Sequence, residues 1–291
     1  MLRDRRYERN LIARQMKAGP RLACAYSLLF CNSIVCLLLT FAGCSLLPKS
    51  PGLPSADVVE CDQLIVYSDF KLPRRHRLLD ELAALRDDVA TTLNLTPSDE
   101  PISVYLFDND DHYDAYMRKH HPGFPHRRAF FVKNDTTLSV YAYWGEKVGE
   151  DLRHEVTHGY LHSVMSNLPL WLDEGLAEYF EVPRGRHGYN WKHIELLVSK
   201  LESQQWKPDL ARLDALIYPD QMTQLDYAES WLWVHFFMET ESYRLENLRS
   251  HVADLIAKGE SEPLSETVYR FEKNPEQTLI AYLRELNSLQ Q

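Results

Sequence analysis

Cysteine is scarce in this chain and is concentrated at one end. The 291 residues contain five cysteines, of which Cys24, Cys31, Cys36 and Cys44 fall within the first 44 positions. Only Cys61 remains in the rest of the chain, so that part can form neither an internal disulfide bond nor a zinc site built from several cysteines. A folded domain after residue 44 therefore has to be held together by its hydrophobic core.

Positive charge is also scarce once the first residues are set aside. Residues 1–44 hold seven of the 32 Lys and Arg and two of the 42 Asp and Glu, which leaves 25 basic and 40 acidic residues and a net charge of −15 for the remainder. Such a surface repels phosphate backbones, which argues against nucleic acid as a partner. The hydrophobic share of 45% and the charged share of 25% are ordinary for a soluble globular protein.

Charge is absent altogether from Leu22 to Pro48, and an apolar run at residues 28–41 is hydrophobic enough to enter a bilayer. The run ends in the sequence FAGC at positions 41–44, which resembles the bacterial lipobox. This resemblance implies cleavage after residue 43 and a lipid on Cys44. An uncleaved transmembrane anchor is the alternative. Both interpretations place residues 50–291 outside the cytoplasm, and the first predicts a protein that is lipid-anchored to a bacterial membrane, in the periplasm or at the cell surface.

Hydrophobic periodicity predicts a mixed first half and a helical second half, without any repeat of fixed period. Alternating or β-branched runs predict strands at residues 63–67, 102–107, 129–133 and 137–144, with helices near 78–89 and 108–119. Helical patterns follow at residues 146–166, 172–180, 190–204, 224–240, 242–258, 262–271 and 275–288. The predicted fold class is therefore α+β, with a small mixed sheet and a helical C-terminal part.

The motif HEVTH at residues 154–158 carries the clearest chemical signal. Residues four apart on a helix share a face, so His154 and His158 can both direct a ring nitrogen at one ion, with Glu155 beside them as a proton carrier. Glu174 lies on a second predicted helix, which by packing against the first would supply the third ligand and leave a water in the fourth position. HExxH alone also occurs by chance on surface helices, but an ordinary amphipathic helix does not require the segment WLDEGLAEYF that follows. The two segments together indicate a site for one zinc ion.

HEVTH combined with WLDEGLAEYF resembles the gluzincin metallopeptidases. The resemblance implies that His154, His158 and Glu174 bind the zinc, that Glu155 acts as general base, and that Glu178 braces His154. The fifteen residues between His158 and Glu174 are fewer than in the aminopeptidase branch, which implies a shorter connection between the two helices.

A later segment, YAESW at residues 227–231, together with the compact size, resembles the peptidase MA-like family of bacterial proteins. Because Tyr227 matches a downstream tyrosine of that family, we expect it to donate to the oxyanion of the tetrahedral intermediate. The alternative is a core tyrosine beside Trp231 and Trp233. In gluzincins the strand before the motif helix is the sheet edge on which an extended peptide pairs, which implies this role for residues 137–143.

Neighbouring polar residues receive structural interpretations. His162 lies one turn beyond the two motif histidines, too far to reach the same ion, and is predicted to be a packing or surface residue. Asp173 is predicted to be a helix-start carboxylate. Arg184, in a basic loop at residues 183–188, either lines the cleft and holds a substrate carboxylate or is plain surface charge.

The sequence therefore predicts an extracytoplasmic, membrane-tethered zinc metallopeptidase that acts on a peptide or protein substrate. Four segments are expected: a leader at residues 1–43, a lipidated cysteine and proline-rich tether at 44–56, a zinc metallopeptidase core at 57–185, and a helical subdomain at 186–291. Two alternatives stay open. One is a non-catalytic lipoprotein with structural zinc whose helical half binds a partner, and the other is a hydrolase of cell-wall amide bonds.

Overall fold

A computed structural model describes residues 52–289 of the chain. The predicted leader at residues 1–43, the lipidation site at Cys44 and most of the tether at residues 44–56 lie outside this range. Within it the α+β class is confirmed, because a five-stranded sheet occupies the first half and the second half is helical. Residues 52–289 contain no helix that is both long enough and apolar enough to cross a membrane.

The sheet is mixed, and its strand order is β1-β2-β3-β5-β4. β2, β3 and β5 run parallel to one another, while β1 and β4 are antiparallel to their neighbours and form the two edges. The strands are β1 (Asp57–Cys61), β2 (Leu64–Ser68), β3 (Ile102–Phe107), β4 (Ala129–Lys133) and β5 (Leu138–Tyr143).

The edge strand beside the motif helix is β4, so the prediction that residues 137–143 form a peptide-binding edge is wrong. β5 lies between β3 and β4, with Leu138 opposite Ile102 on one side and Lys133 on the other. Residues 138–142 of β5 are all buried, which is the pattern of an interior strand. Sequence order does not determine which strand of the β4–β5 hairpin pairs with β3.

Different helices cover the two faces of the sheet. Helices α1 (Arg77–Leu93) and α3 (Val148–His162) pack on one face, and α2 (Asp110–His120) packs on the other. Because side chains alternate along a strand, Val140 of β5 joins the main core under α3, whereas Tyr141 joins a smaller aromatic cluster under α2. The HEVTH motif, which is part of α3, therefore lies on the same face of the sheet as α1.

The second half wraps around one buried helix, α7. Its residues 226–237 are all buried, so this helix is apolar nearly all round and lies at the centre of the helical part. One hydrophobic core extends from Val59 to Leu286, across the predicted boundary between residues 185 and 186. The helices are α4 (Leu170–Phe180), α5 (Trp191–Glu202), α6 (Leu210–Asp214), α7 (Gln224–Glu239), α8 (Ser242–Lys258), α9 (Leu264–Phe271) and α10 (Pro275–Ser288).

Two glycines let the motif-bearing helices approach their neighbours closely. A Cβ atom at Gly159 on α3 would lie 3.0 Å from the side chain of Ile102 on β3. A Cβ atom at Gly175 on α4 would lie 2.6 Å from the backbone oxygen of Ser230 on α7, closer than packed atoms tolerate. The lack of a side chain at Gly175 therefore sets the position of α4, and with it that of Glu174.

Replacing Gly175 by alanine is expected to destabilise the fold by about 3 kcal/mol, because the added methyl group meets a backbone atom that cannot rotate away. Urea unfolding followed by circular dichroism measures this loss. Gly52→Ala is the matched control, since a methyl group there meets nothing within 4 Å. Equal unfolding midpoints for the two variants would contradict the close contact between α4 and α7.

Candidate metal centre

Three side chains from α3 and α4 converge on one point. The Nε2 atoms of His154 and His158 lie 3.3 Å apart, and Oε2 of Glu174 lies 3.6 Å from each of them. The point equidistant from these three atoms is about 2.0 Å from each, which matches the length of a zinc bond to an imidazole nitrogen or a carboxylate oxygen. The structure thus brings the three predicted ligands together in a triangle of the size that zinc requires.

The Oε2 atom of Glu174 has no hydrogen-bond partner, although it is buried. A buried carboxylate oxygen without a donor is costly, and a cation at the centre of the triangle would compensate for it. Two imidazoles and one carboxylate are also a donor set that zinc takes in catalytic sites. The residues present therefore fit a zinc ion.

A carboxylate holds the outer ring nitrogen of each candidate ligand histidine. Nδ1 of His154 is 3.1 Å from Oε2 of Glu181, and Nδ1 of His158 is 2.9 Å from Oδ1 of Asp173. When Nδ1 of a neutral ring donates to a carboxylate, Nε2 carries no proton and its lone pair is available to a metal. These two carboxylates therefore fix both the orientation and the tautomer that metal binding needs.

Glu181 takes the role that was predicted for Glu178, which is a correction. Oε2 of Glu178 instead lies 2.7 Å from Nε2 of His193 on α5. Glu181 directly follows the last residue of α4, and its backbone oxygen accepts a hydrogen bond of 2.6 Å from Nε of Arg153. This bond ties the end of α4 to α3 and so brings the Glu181 side chain beside His154.

Asp173 and His162 also make contacts at this site that were not predicted from the sequence. Asp173 lies in the first turn of α4, as predicted, but its second oxygen is 2.8 Å from Nε2 of His162, so it bridges His158 and His162. The His162 ring stacks on Phe131 of β4, with centroids 5.4 Å apart. The regular spacing of three histidines, with an aspartate next to the candidate ligand Glu174, was the signal in the sequence for this chain of contacts.

Electrostatics at the site favours positive charge. Burial by itself lowers the pKa of His158, but Asp173 and Glu174 outweigh it and raise that pKa to about 10. Burial acts in the same direction on His154, whose pKa is nevertheless held well above its usual value by Glu174 and Glu181. Burial would raise the pKa of Glu174, but its contacts with the two histidines lower it to about 2. The carboxylates thus draw protons onto the imidazoles where a metal ion would otherwise supply the charge.

Glu155 and Tyr227 lie with His154 in one cleft of about 550 Å³. Burial raises the pKa of Glu155, while the neighbouring histidines and a hydrogen bond from the backbone of Phe131 oppose that rise. Tyr227 is 5% exposed, and its hydroxyl oxygen accepts a hydrogen bond of 3.0 Å from Arg127. The phenolic proton is therefore available to a different acceptor. Sequence reasoning missed Arg127, because no local pattern links two residues so far apart.

The basic loop at residues 183–188 lies apart from this cleft. Nε of Arg184 is 2.6 Å from Oδ2 of Asp88 on α1, and no residue of the loop lines the cleft. The structure therefore favours the interpretation of Arg184 as surface charge.

Comparison with known proteins gives a family match without an activity. Residues 151–256 match a family described as "Protein of unknown function (DUF1570)". The match begins within α3 and ends within α8, so it includes most of the motif helix, the helix that carries Glu174, and Tyr227. No curated protein matches the chain.

Glu181→Gln is expected to weaken zinc binding about 10- to 100-fold, because a neutral amide no longer attracts the Nδ1 proton of His154 as a carboxylate does. Glu178→Gln, one helical turn earlier, is the matched control and should weaken binding less, since Glu178 contacts His193. Competition against a chromophoric chelator measures both affinities. A larger loss in the Glu178 variant would restore the role predicted from the sequence.

Proposed function

We propose that the protein is a zinc-dependent metallopeptidase that hydrolyses peptide bonds with water as the nucleophile. The observation that carries the proposal is the triangle of His154, His158 and Glu174, whose member His154 lines one open cleft together with Glu155. Structural zinc sites are closed by four protein ligands, whereas catalytic sites have three and keep one position open. In the described part of the chain, the group that converges here has three members.

The residues of the cleft have the properties that this reaction needs. A zinc ion held by His154, His158 and Glu174 would polarise the substrate carbonyl and make water more acidic. Glu155 takes a proton from the attacking water and delivers it to the nitrogen of the leaving amine. The raised pKa of Glu155 supports both transfers, because a carboxyl group accepts and releases a proton more readily at neutral pH when its pKa is closer to that pH.

Tyr227 acts as a second donor to the carbonyl oxygen of the cleaved bond. Its hydroxyl accepts from the Arg127 guanidinium, so its proton points elsewhere, and burial and Glu174 raise the pKa of the phenol despite Arg127, so it keeps the proton that it donates. Donation from Tyr227 stabilises the negative charge that develops on that oxygen.

The free edge of β4 supports a peptide as the substrate. β4 pairs with β5 on one side, and the cleft is lined by Ala129, the first residue of β4, and by Arg128 just before it. An extended peptide that paired with the other side would satisfy its backbone hydrogen bonds there. It would then pass Glu155, which itself contacts the backbone of Phe131 in β4.

Glu155→Gln is expected to retain zinc and to lower kcat/KM for peptide hydrolysis by about 10²- to 10⁴-fold, because the amide cannot carry the proton. Glu146→Gln, at an exposed position just before α3, is the matched control and should keep full activity. Hydrolysis of a denatured protein, read by mass spectrometry, measures the difference. A chelator should abolish turnover, and added zinc should restore it.

Hydrolysis that survives both the chelator and Glu155→Gln would refute zinc catalysis. Tight zinc binding without hydrolysis of any substrate would favour the non-catalytic lipoprotein. Release of fragments from purified peptidoglycan, with no cleavage of denatured protein, would favour the cell-wall hydrolase.

We also propose that this domain works outside the cytoplasm, tethered through a lipid on Cys44. The support comes from the uncharged run before FAGC at residues 41–44, together with the proline-rich segment that follows. Labelling of cells with a radioactive fatty acid tests the tether. Cys44→Ala should lose the label and the membrane association, and a label retained by this variant would rule out that attachment site.

A further inference from the structure

A second cavity, of about 460 Å³, adjoins the cleft on the α2 side of the sheet. His126 and Arg127 line both spaces. The reaction proposed above does not use this cavity. Its other walls are largely aromatic and apolar, with Asp114 and Arg118 as charged members, and the aromatic and apolar walls include Tyr113, Met117, Phe124 and Phe130.

A row of aromatic side chains on the sheet ends beside this cavity. Tyr67, Tyr105, Tyr141 and Phe130 lie opposite one another on β2, β3, β5 and β4. The rings of Tyr67 and Tyr105 are stacked with centroids 5.2 Å apart, and so are the rings of Tyr105 and Tyr141. Phe130, on the edge strand, is the last member of this row, and it forms a wall of the cavity.

Two of the walls differ in exposure, one buried and one open to solvent. Tyr113 is 1% exposed, and its hydroxyl group is buried without a hydrogen-bond partner. Phe124, in the loop before β4, is 45% exposed. An exposed aromatic ring costs free energy, and an apolar group packed against Phe124 would reduce that cost.

The cavity is close to the proposed general base, because His126 and Arg127 line both the cavity and the cleft that contains Glu155. Burial raises the pKa of Tyr113, and the negative charge of Glu155 raises it further. A group in this cavity would therefore be bound close to the position where the peptide bond is cleaved.

A peptide paired with the free edge of β4 would direct one side chain into this cavity. Side chains of a strand alternate between the two faces of a sheet. The peptide residue opposite Phe130 would face the α2 side and extend the aromatic row, since cross-strand neighbours pack directly against each other. The peptide residues on either side of it would face α3 and the candidate metal centre.

We propose that this cavity is a specificity pocket that takes one large apolar or aromatic side chain of a peptide substrate, at a fixed position beside the cleaved bond. The pocket favours Phe, Tyr or Leu over Ala or Gly, because small side chains leave the space unfilled and the aromatic walls without contacts. This inference rests on the proposed peptidase function and names the substrate class.

Two randomised octapeptide pools test the pocket, one with Phe and the other with Ala fixed at a central position. Binding of each pool to zinc-loaded Glu155→Gln protein is measured by competition against a fluorescent peptide, and hydrolysis of each pool by the wild type is measured separately. We expect the Phe pool to bind about tenfold more tightly and to be cleaved about tenfold faster. The cleaved bonds should lie at a constant distance from the Phe residue.

Phe124→Ala removes the exposed wall of the pocket, and this substitution in the Glu155→Gln background should bring the two pools to within about threefold of each other. Phe271→Ala is the matched control, because Phe271 is also exposed, at 61%, but lies at the end of α9. It should leave the preference unchanged. Circular dichroism confirms that both variants fold.

Equal binding of the Phe and Ala pools would overturn the proposed specificity pocket. An unchanged preference for the Phe pool in the Phe124→Ala variant would overturn it too. If the wild type cleaves both pools equally well, the peptidase function stands and the pocket fails. If the Phe pool binds preferentially through Phe124 but nothing is cleaved, the pocket stands and the peptidase function fails.

Discussion

The rest of the structure depends on the burial of negative charge between α3 and α4. Asp173, Glu174 and Glu181 are carried to the site by α4 and the residue that follows it, and a buried carboxylate without compensation costs several kcal/mol. The two imidazoles on α3 supply the compensation. Positive charge between the two helices, whether from protons or from a metal, is therefore part of what allows them to pack closely. Apolar contacts hold α4 in place from its other side, through side chains such as Trp171 and Leu176 that are 0% exposed.

Helix α7 connects this site to the helical half of the protein. Two residues of its YAESW segment, Tyr227 and Glu229, make contacts on opposite sides of this connection. Tyr227 faces the cleft. Glu229, two residues later, is fully buried and accepts hydrogen bonds from Trp206, Arg212 and the backbone of Asp209. Burial raises the pKa of Glu229, and these donors act against that rise. Glu229 thus attaches the segment around α6 to α7, and this attachment helps to hold Tyr227 in position at the cleft.

Features encoded by local spacing were predictable from the sequence. The convergence of His154 and His158 follows from helix geometry alone, and helices predicted at residues 224–240 and 242–258 are observed as Gln224–Glu239 and Ser242–Lys258. Non-local features were not predictable. Arg127 and Tyr227 are in contact although 100 residues separate them in the sequence. The edge position of β4 depends on the order of the strands in the sheet. The contact of His154 with Glu181, and not with Glu178, depends on how the end of α4 is tied to α3. β1 was missed because its short sequence, DVVEC, carries little hydrophobic alternation.

Every residue that would bind or brace the metal lies between His154 and Glu181, a single stretch of 28 residues. The groups that would contact a peptide under the proposed function come from α2, the loop before β4, β4 and α7, which are elsewhere in the chain. In the proposed peptidase, the metal ligands and the general base would therefore come from one short segment, and most groups that contact the substrate would come from other parts of the chain. Under the proposed function, substitutions outside that segment would change which peptide binds and leave the candidate metal centre intact.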